Sequence, residues 1–309
     1  MKLIRDLDAL PDELRRGAVA IGNFDGVHLG HARIVERLVA RAREAGGAAT
    51  VFTFDPHPVR LLRPAEAPPP LTWTDRKAEL LVELGVDAMI AYPTDEALLA
   101  LSPREFFDRI VLDRLAAKAM VEGPNFYFGH RRLGTIDTLR QFTAAAGVVL
   151  EVVEPVQVEG RAVSSSRVRE CIQAGRVEEA RHLLTRPYRL RGMVTHGAGR
   201  GAKLGFPTAN IDAIDTILPG VGVYAGVAFT AGGRLAAAIN IGPNPTFGEH
   251  ALKVEAHLLD FHEPLYGQPL EIDFLARLRD IHPFAGVEAL KSQLDRDVAA
   301  TRQIAAAEA

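Results

Sequence analysis

The chain has 309 residues, room for one large or two ordinary domains, with 48% hydrophobic and 24% charged residues, the balance of a globular protein. A net charge of −3 gives no electrostatic case for nucleic acid or an anionic membrane, and the single cysteine, Cys171, excludes an intrachain disulfide and a cysteine-built zinc site. The first residues, Met1-Lys-Leu-Ile-Arg-Asp, bring acidic residues too early for a secretory signal, and no apolar run reaches membrane-spanning length. The expected location is the cytoplasm.

From the N-terminus, short apolar runs alternate with helical patterns. Strands are predicted at Ala18–Ile21, Ala49–Phe54, Ala88–Tyr92, Ala119–Glu122 and Val148–Val153, and helices at 31–45, 75–84, 103–115 and 135–146. Strands separated by helices of that length predict a doubly wound parallel sheet, with ligands beyond the carboxyl ends of its strands. The piece 64–70, Pro-Ala-Glu-Ala-Pro-Pro-Pro, reads as a surface loop. Two short helices, 165–174 and 176–184, lead to Thr185-Arg-Pro-Tyr188. Beyond it, strands at 189–195, 223–229, 234–241, 252–259 and 269–275 recur without helices between them, which predicts a small antiparallel barrel. A helix from Val287 to about Ala305 closes the chain. The domains are therefore set at 1–185 and 186–309.

The segment Gly22-Asn-Phe-Asp-Gly-Val-His-Leu-Gly-His31 leaves the first strand and enters the first helix. Two histidines three apart at a helix start, His28 and His31, lie over free N–H groups and the positive end of the dipole, a place suited to the phosphates of a nucleoside triphosphate. Gly26 and Gly30 let backbone approach closely. Phe54-Asp-Pro-His-Pro58 ends the second strand; prolines on both sides hold His57 in a stiff turn, suited more to placement against a flat ring than to helix capping. Gly123-Pro-Asn-Phe-Tyr-Phe-Gly129 follows the fourth strand, and Arg161-Ala-Val-Ser-Ser-Ser-Arg-Val-Arg169 the fifth, where hydroxyls opening a helix serve equally as phosphate ligands or as an ordinary N-cap.

In the second half, Gly192-Met-Val-Thr-His-Gly-Ala-Gly-Arg-Gly201 precedes Leu204-Gly-Phe-Pro-Thr-Ala-Asn210. It lacks the Gly-Lys-Ser/Thr ending of a Walker A loop. Gly197, Gly199 and Gly201 read as a phosphate flap or as a flexible hairpin. Thr208 and Asn210 are hard oxygen ligands suited to Mg²⁺. Glu255 alternates with Val254 and Ala256; if Val254 points into the core, Glu255 alone reads as an exposed strand carboxylate.

Taken in order, Asn-Phe-Asp-Gly-Val-His-x-Gly-His, Phe-Asp-Pro-His-Pro, Gly-x-Asn-Phe-x-Phe-Gly and Ser-Ser-Ser-x-Val-Arg resemble the FMN adenylyltransferase module of bacterial FAD synthetases, a nucleotidyltransferase-like Rossmann fold. Gly-Phe-Pro-Thr-Ala-Asn, Gly-Val-Tyr-Ala, Asn-Pro-Thr-Phe-Gly and Glu-x-His-Leu-Leu-Asp-Phe-x-x-x-Leu-Tyr-Gly resemble the riboflavin kinase module. The resemblance implies that His28 and His31 stabilise charge at the α-phosphate of ATP. Gly22, Phe24, Gly30, Asn125, Ser164, Ser165 and Arg169 would complete the nucleotide contacts, and Asn23, Asp25 and His57 would face the flavin. In the kinase module it implies Mg²⁺-ATP on Thr208 and Asn210 beneath the 197–201 glycines. Glu255 would serve as the group that aligns the ribityl hydroxyl and accepts its proton, with Asn244 and Arg279 toward the flavin. Ser166 stands where threonine is usual, and Asn125 where many relatives carry aspartate.

The expected function is bifunctional: riboflavin to FMN in the barrel, FMN to FAD with release of pyrophosphate in the first domain, both with Mg²⁺ and ATP. The alternatives are a monofunctional riboflavin kinase, motivated by Asn125, and a non-catalytic flavin-binding protein. Expected partners are the small molecules riboflavin, FMN and ATP, with no nucleic acid or membrane; the sequence leaves self-association open.

Overall fold

The computed structural model describes residues 1–197, 199–243 and 252–308. The chain divides into two compact units, Met1–Pro68 with Trp73–Ser164, and Pro69–Thr72 with Ser165–Ala309.

The first unit runs β1 (Lys2–Ile4), β2 (Ala18–Ile21), α1 (Leu29–Ala45), β3 (Ala49–Phe54), α2 (Pro58–Leu62), α3 (Thr74–Glu83), β4 (Ala88–Tyr92), α4 (Glu96–Ala100), α5 (Pro103–Phe106), β5 (Ala119–Glu122), α6 (Ile136–Ala146) and β6 (Val149–Val152), with a hairpin of β7 (Gln157–Val158) and β8 (Arg161–Ala162) after it. Six parallel strands form the sheet in the order β1-β4-β3-β2-β5-β6. The alternation of strand side chains feeds two cores. Val19, Ile21, Phe52, Ile90 and Met120 point to one face, and Ala18, Ala20, Val51, Met89 and Val121 to the other. Burial on both faces explains why these strands read as continuous apolar runs.

The order reverses between β2 and β5, which makes their carboxyl ends the switch point of the sheet. There the β2–β5 ladder pairs only Ala18 with Ala119 and Val19 with Met120. The Ile21 N–H is taken instead by the Glu122 carboxylate at 2.9 Å.

The second unit opens with α7 (Ser165–Gln173) and α8 (Val177–Leu183). A closed barrel follows, built from β9 (Tyr188–Thr195), α9 (Arg200–Leu204), β10 (Ala209–Asp212), β11 (Gly222–Thr230), β12 (Gly233–Gly242), β13 (Lys253–Leu258) and β14 (Pro269–Arg279), and α10 (Val287–Ala306) packs on β11 and β12. Its strands are antiparallel in the cyclic order β10-β13-β12-β11-β14-β9.

Three expectations change. The sheet has a sixth strand, β1, three residues long with one inward side chain, too short for a pattern. The barrel also has a sixth, β10, whose Ala-Asn-Ile-Asp sequence turns only Ile211 inward. The helix expected at 103–115 is one α-turn and then a π-helix, Phe107–Arg114, ending in the bond from Leu115 N–H to Ile110 C=O.

Candidate active sites

The first site rests on the turn between β2 and α1. Phe24 and Val27 both hold positive φ, 47° and 40°, yet both side chains are buried. Strain at two non-glycine residues is tolerated only where packing over-determines the backbone. His28 is the N-cap of α1: its Nδ1 accepts the His31 N–H at 3.3 Å, so a neutral ring carries its proton on Nε2. The two imidazoles stack with centroids 3.6 Å apart. Gly30 lies tight against the His28 ring: a Cβ would meet it at 3.1 Å, so His28 would have to shift by a few tenths of an ångström.

Burial pushes the His31 pKa well below the usual imidazole value, and the neighbouring His28 and Lys77 push it the same way. His31 is therefore a neutral ring, able to stabilise developing charge by an N–H dipole. Its Nδ1 and the Asn23 Oδ1 are buried without a protein partner among the described residues, two polar atoms suited to a ligand. Gly22 lies against the Phe24 ring, a Cβ there meeting it at 3.3 Å, and Asp25 is buried in the same turn.

His57 departs from expectation. It caps α2, its Nδ1 accepting the Val59 N–H at 3.1 Å, with Pro58 in the favoured first helical position. Asn125 is exposed in the turn after β5. Ser164 ends the first unit, and Ser165 starts α7 in the second. Arg169, expected on phosphate, places its Nε on the Pro69 carbonyl at 2.8 Å, where it holds the proline-rich segment.

In the barrel, one row of strand partners runs Thr195, Asn210, Glu255, Asn240, Val223, Arg279. Directly opposed residues share a sheet face, so the Glu255 carboxylate lies between two carboxamides. Val254 and Ala256 do point into the core. Glu255 is nevertheless half-buried rather than exposed, because its neighbours in the row flank it.

The glycine-rich segment closes on this row. A Cβ on Gly197 would lie 2.0 Å from the Asn210 amide nitrogen, and one on Gly201 would lie 2.3 Å from the Phe206 carbonyl and 3.4 Å from Thr208 Oγ1. Gly199 holds φ of +65° as the cap of α9. His257, two residues beyond Glu255 on the same face, donates from Nδ1 to the Pro207 carbonyl at 2.7 Å, and its ring meets Phe206 edge-on. Sequence reasoning assigned His257 and Asn240 no role; the Glu-x-His spacing was the available signal.

Arg279 is not directed at a ligand alone. Its Nε and Nη2 grip the buried Asp297 of α10, the latter at 2.8 Å, and its Nη1 donates to the Asp280 carbonyl. Asn244, expected at the flavin, lies outside the described residues.

Residues 10–167 match the FAD synthetase family and residues 184–305 the riboflavin kinase family. The bifunctional riboflavin kinase/FMN adenylyltransferase of Pseudomonas fluorescens is 38% identical, covering 99% of this chain and 98% of the relative. The chain belongs to the bifunctional riboflavin kinase/FMN adenylyltransferase family. The Bacillus subtilis relative of the same name is 34% identical over 93% of this chain and 92% of its own length. A solved structure described as a macrolide-efflux protein from Streptococcus pneumoniae superposes with a TM-score of 0.85 at 28% identity, covering 97% of this chain and 98% of that one. Among the described residues, no helix is long and apolar enough to cross a membrane.

Proposed function

We propose that this chain makes FAD from riboflavin in two ATP-dependent steps, one in each half, with 1–185 the adenylyltransferase and 186–309 the kinase, in the cytoplasm. The observation that carries the reading is the Asn210–Glu255–Asn240 row under a glycine-rich loop, in a chain that also holds the stacked His28–His31 pair.

In the kinase step the terminal ribityl hydroxyl oxygen of riboflavin bonds to the γ-phosphorus of ATP, and the bond to the β-γ bridging oxygen breaks to release ADP. Glu255 accepts the hydroxyl hydrogen bond, aligns the oxygen, and takes the proton as charge develops late in transfer. Thr208, just before β10, and Asn210, on it, offer a hydroxyl and an amide oxygen, a neutral donor set that fits Mg²⁺ brought in on substrate phosphates. When bound, the ion neutralises phosphate charge. Gly197 and Gly201 leave the space that lets backbone close over the phosphates.

In the adenylyl step an FMN phosphate oxygen bonds to the α-phosphorus of ATP, and pyrophosphate leaves. His28, whose neutral ring carries its proton on Nε2, and neutral His31 stabilise the charge on the α-phosphate oxygens. Gly22, Phe24, Gly30, Asn125, Ser164, Ser165 and Arg169 are the proposed nucleotide contacts, and Asn23, Asp25 and His57 the flavin side. In the kinase half Asn244 and Arg279 are the flavin side, Arg279 through groups that Asp297 leaves over. Chromatography of products from riboflavin, ATP and Mg²⁺ tests the reading: FMN followed by FAD supports it, FMN alone leaves a monofunctional kinase, and no turnover leaves a flavin-binding protein.

A further inference from the structure

Lys77 belongs to no motif, yet its side chain is only 8% exposed. Its ammonium offers three donors, and among the described residues it has one hydrogen-bond partner, Thr53 Oγ1 at 3.4 Å. Thr53 in turn donates to the backbone oxygen of Asn23 at 3.1 Å. That relay links a cation to the start of the turn that carries His28 and His31. The turn and the start of α1 also hold two buried atoms without a partner among the described residues, Asn23 Oδ1 and His31 Nδ1.

The charges that offset Lys77 are Asp25 and Asp55. Asp55 is already engaged by Arg5 Nη1 at 3.0 Å and by Thr74 Oγ1 at 2.7 Å. An ammonium kept from water with one long hydrogen bond is expensive unless a further anion meets it. Adenylyl transfer supplies that anion, because it drives one phosphate group against another. In sheets of this kind ligands bind at the switch point, here between β2 and β5, which is where the proposed nucleotide site lies. Lys77 is on α3, and its ammonium reaches Thr53 near the carboxyl end of β3, the strand beside β2 and away from β5, the side from which in-line attack on a nucleotide at the switch point would come.

We propose that Lys77 is the positioning residue for the acceptor phosphate: its ammonium, linked through Thr53 to the Asn23 carbonyl, supplies the fixed positive charge that draws the FMN phosphate onto the α-phosphorus of ATP. The new bond joins an FMN phosphate oxygen to that phosphorus. The α-β bridging bond breaks with its electron pair going to pyrophosphate, and Lys77 keeps its proton throughout. The inference rests on the adenylyltransferase reading above.

The test is steady-state FAD formation from FMN and ATP by the full-length chain. A wild type that makes no FAD removes the reading itself before any variant is compared. With an active wild type, Lys77→Met is expected to lower kcat/KM for FMN about 100-fold, the scale of losing one preorganised electrostatic group, while KM for ATP stays within twofold. The riboflavin kinase rate should match wild type. Lys77→Arg keeps the charge and should recover at least tenfold of the loss. Thr53→Val, which removes both the Lys77 partner and the donor to the Asn23 carbonyl, should cost less than fivefold. A kcat/KM for FMN within threefold of wild type in Lys77→Met, or equal rises in KM for FMN and ATP, overturns the proposal. If Lys77→Met does not fold, Lys77→Gln, which also removes the charge, decides by the same thresholds.

Discussion

Asn210 and Glu255 are direct cross-strand partners of β10 and β13, and the Asn210 side chain rests on Gly197 with no space for a Cβ between them. The carboxylate, the amide and the loop are therefore one mechanical unit. Moving any one displaces the other two.

Glu255→Gln tests the carboxylate. The amide nearly keeps the shape but cannot take a proton, and general-base losses run about 10²–10⁴-fold. FMN formation should fall by that factor, while FAD formation from supplied FMN should stay at the wild-type rate. Parallel initial-rate assays of the two half-reactions give the answer, and an equal fall in both would remove the two-site assignment.

Gly197→Ala tests the loop. The added Cβ would sit within 2.0–2.7 Å of three Asn210 side-chain atoms, so Asn210 must move. Kinase KM for ATP should rise at least tenfold with FAD formation untouched. Gly267→Ala is the comparison: it meets nothing within 4 Å, and only its positive φ of 72°, which Gly197 lacks, opposes a Cβ. Its strain should lower Tm by a few degrees and leave KM alone.

His257→Ala removes the donor to the Pro207 carbonyl, one residue before Thr208. A net hydrogen bond is worth about 1 kcal/mol, roughly fivefold in binding. Kinase KM for ATP should rise by about that factor while kcat holds within twofold. A fall in kcat alone would place His257 in the chemical step instead.

Asp297→Ala leaves the Arg279 guanidinium without its carboxylate on α10. Breaking a buried pair costs about 3–5 kcal/mol, and the partial exposure of Arg279 reduces this to about 2–3. Urea unfolding should show a barrel transition destabilised by that amount. Asp297→Asn, which retains an acceptor, should lose less.

Glu122 and His31 make the first unit sensitive to pH in opposite senses. Burial holds the Glu122 carboxyl well above its ordinary value near 4.5, so between that value and the raised one the folded state binds the extra proton. Its contribution is greatest at low pH and is lost as pH rises through the folded pKa. Burial, with His28 and Lys77, holds His31 well below its ordinary value near 6.5, so there the unfolded state binds the extra proton. Its contribution is present above about 6.5 and is lost as pH falls. Glu122→Gln keeps an acceptor for the Ile21 N–H and carries no charge. Its Tm should exceed that of wild type by a margin that widens from pH 5 to pH 8. A constant margin would show that Glu122 does not titrate across folding.

Much of the fold was legible because β2 to β5 are buried on both faces and read as apolar runs between amphipathic helices. β1 and β10 were not, because each turns a single side chain inward and draws its stability from partner strands. His57 was misread although Pro58 follows it: the proline that stiffens a turn also starts a helix, and the cap decided between them. Arg169 and Arg279 were placed by motif, but their partners, the Pro69 carbonyl and Asp297, are far off in sequence.

The sequence alone determined the chemical inventory and its order: a histidine pair at a helix start, a glycine-rich loop before Thr208 and Asn210, and a strand glutamate, all set by local spacing. Tertiary structure decided the state of those groups. Burial leaves His31 neutral, β-register puts Glu255 between Asn210 and Asn240, and packing links the Lys77 ammonium through Thr53 to the Asn23 carbonyl. Ionisation and hydrogen bonding depend on which atoms surround a group, and residues distant in the chain supply most of them.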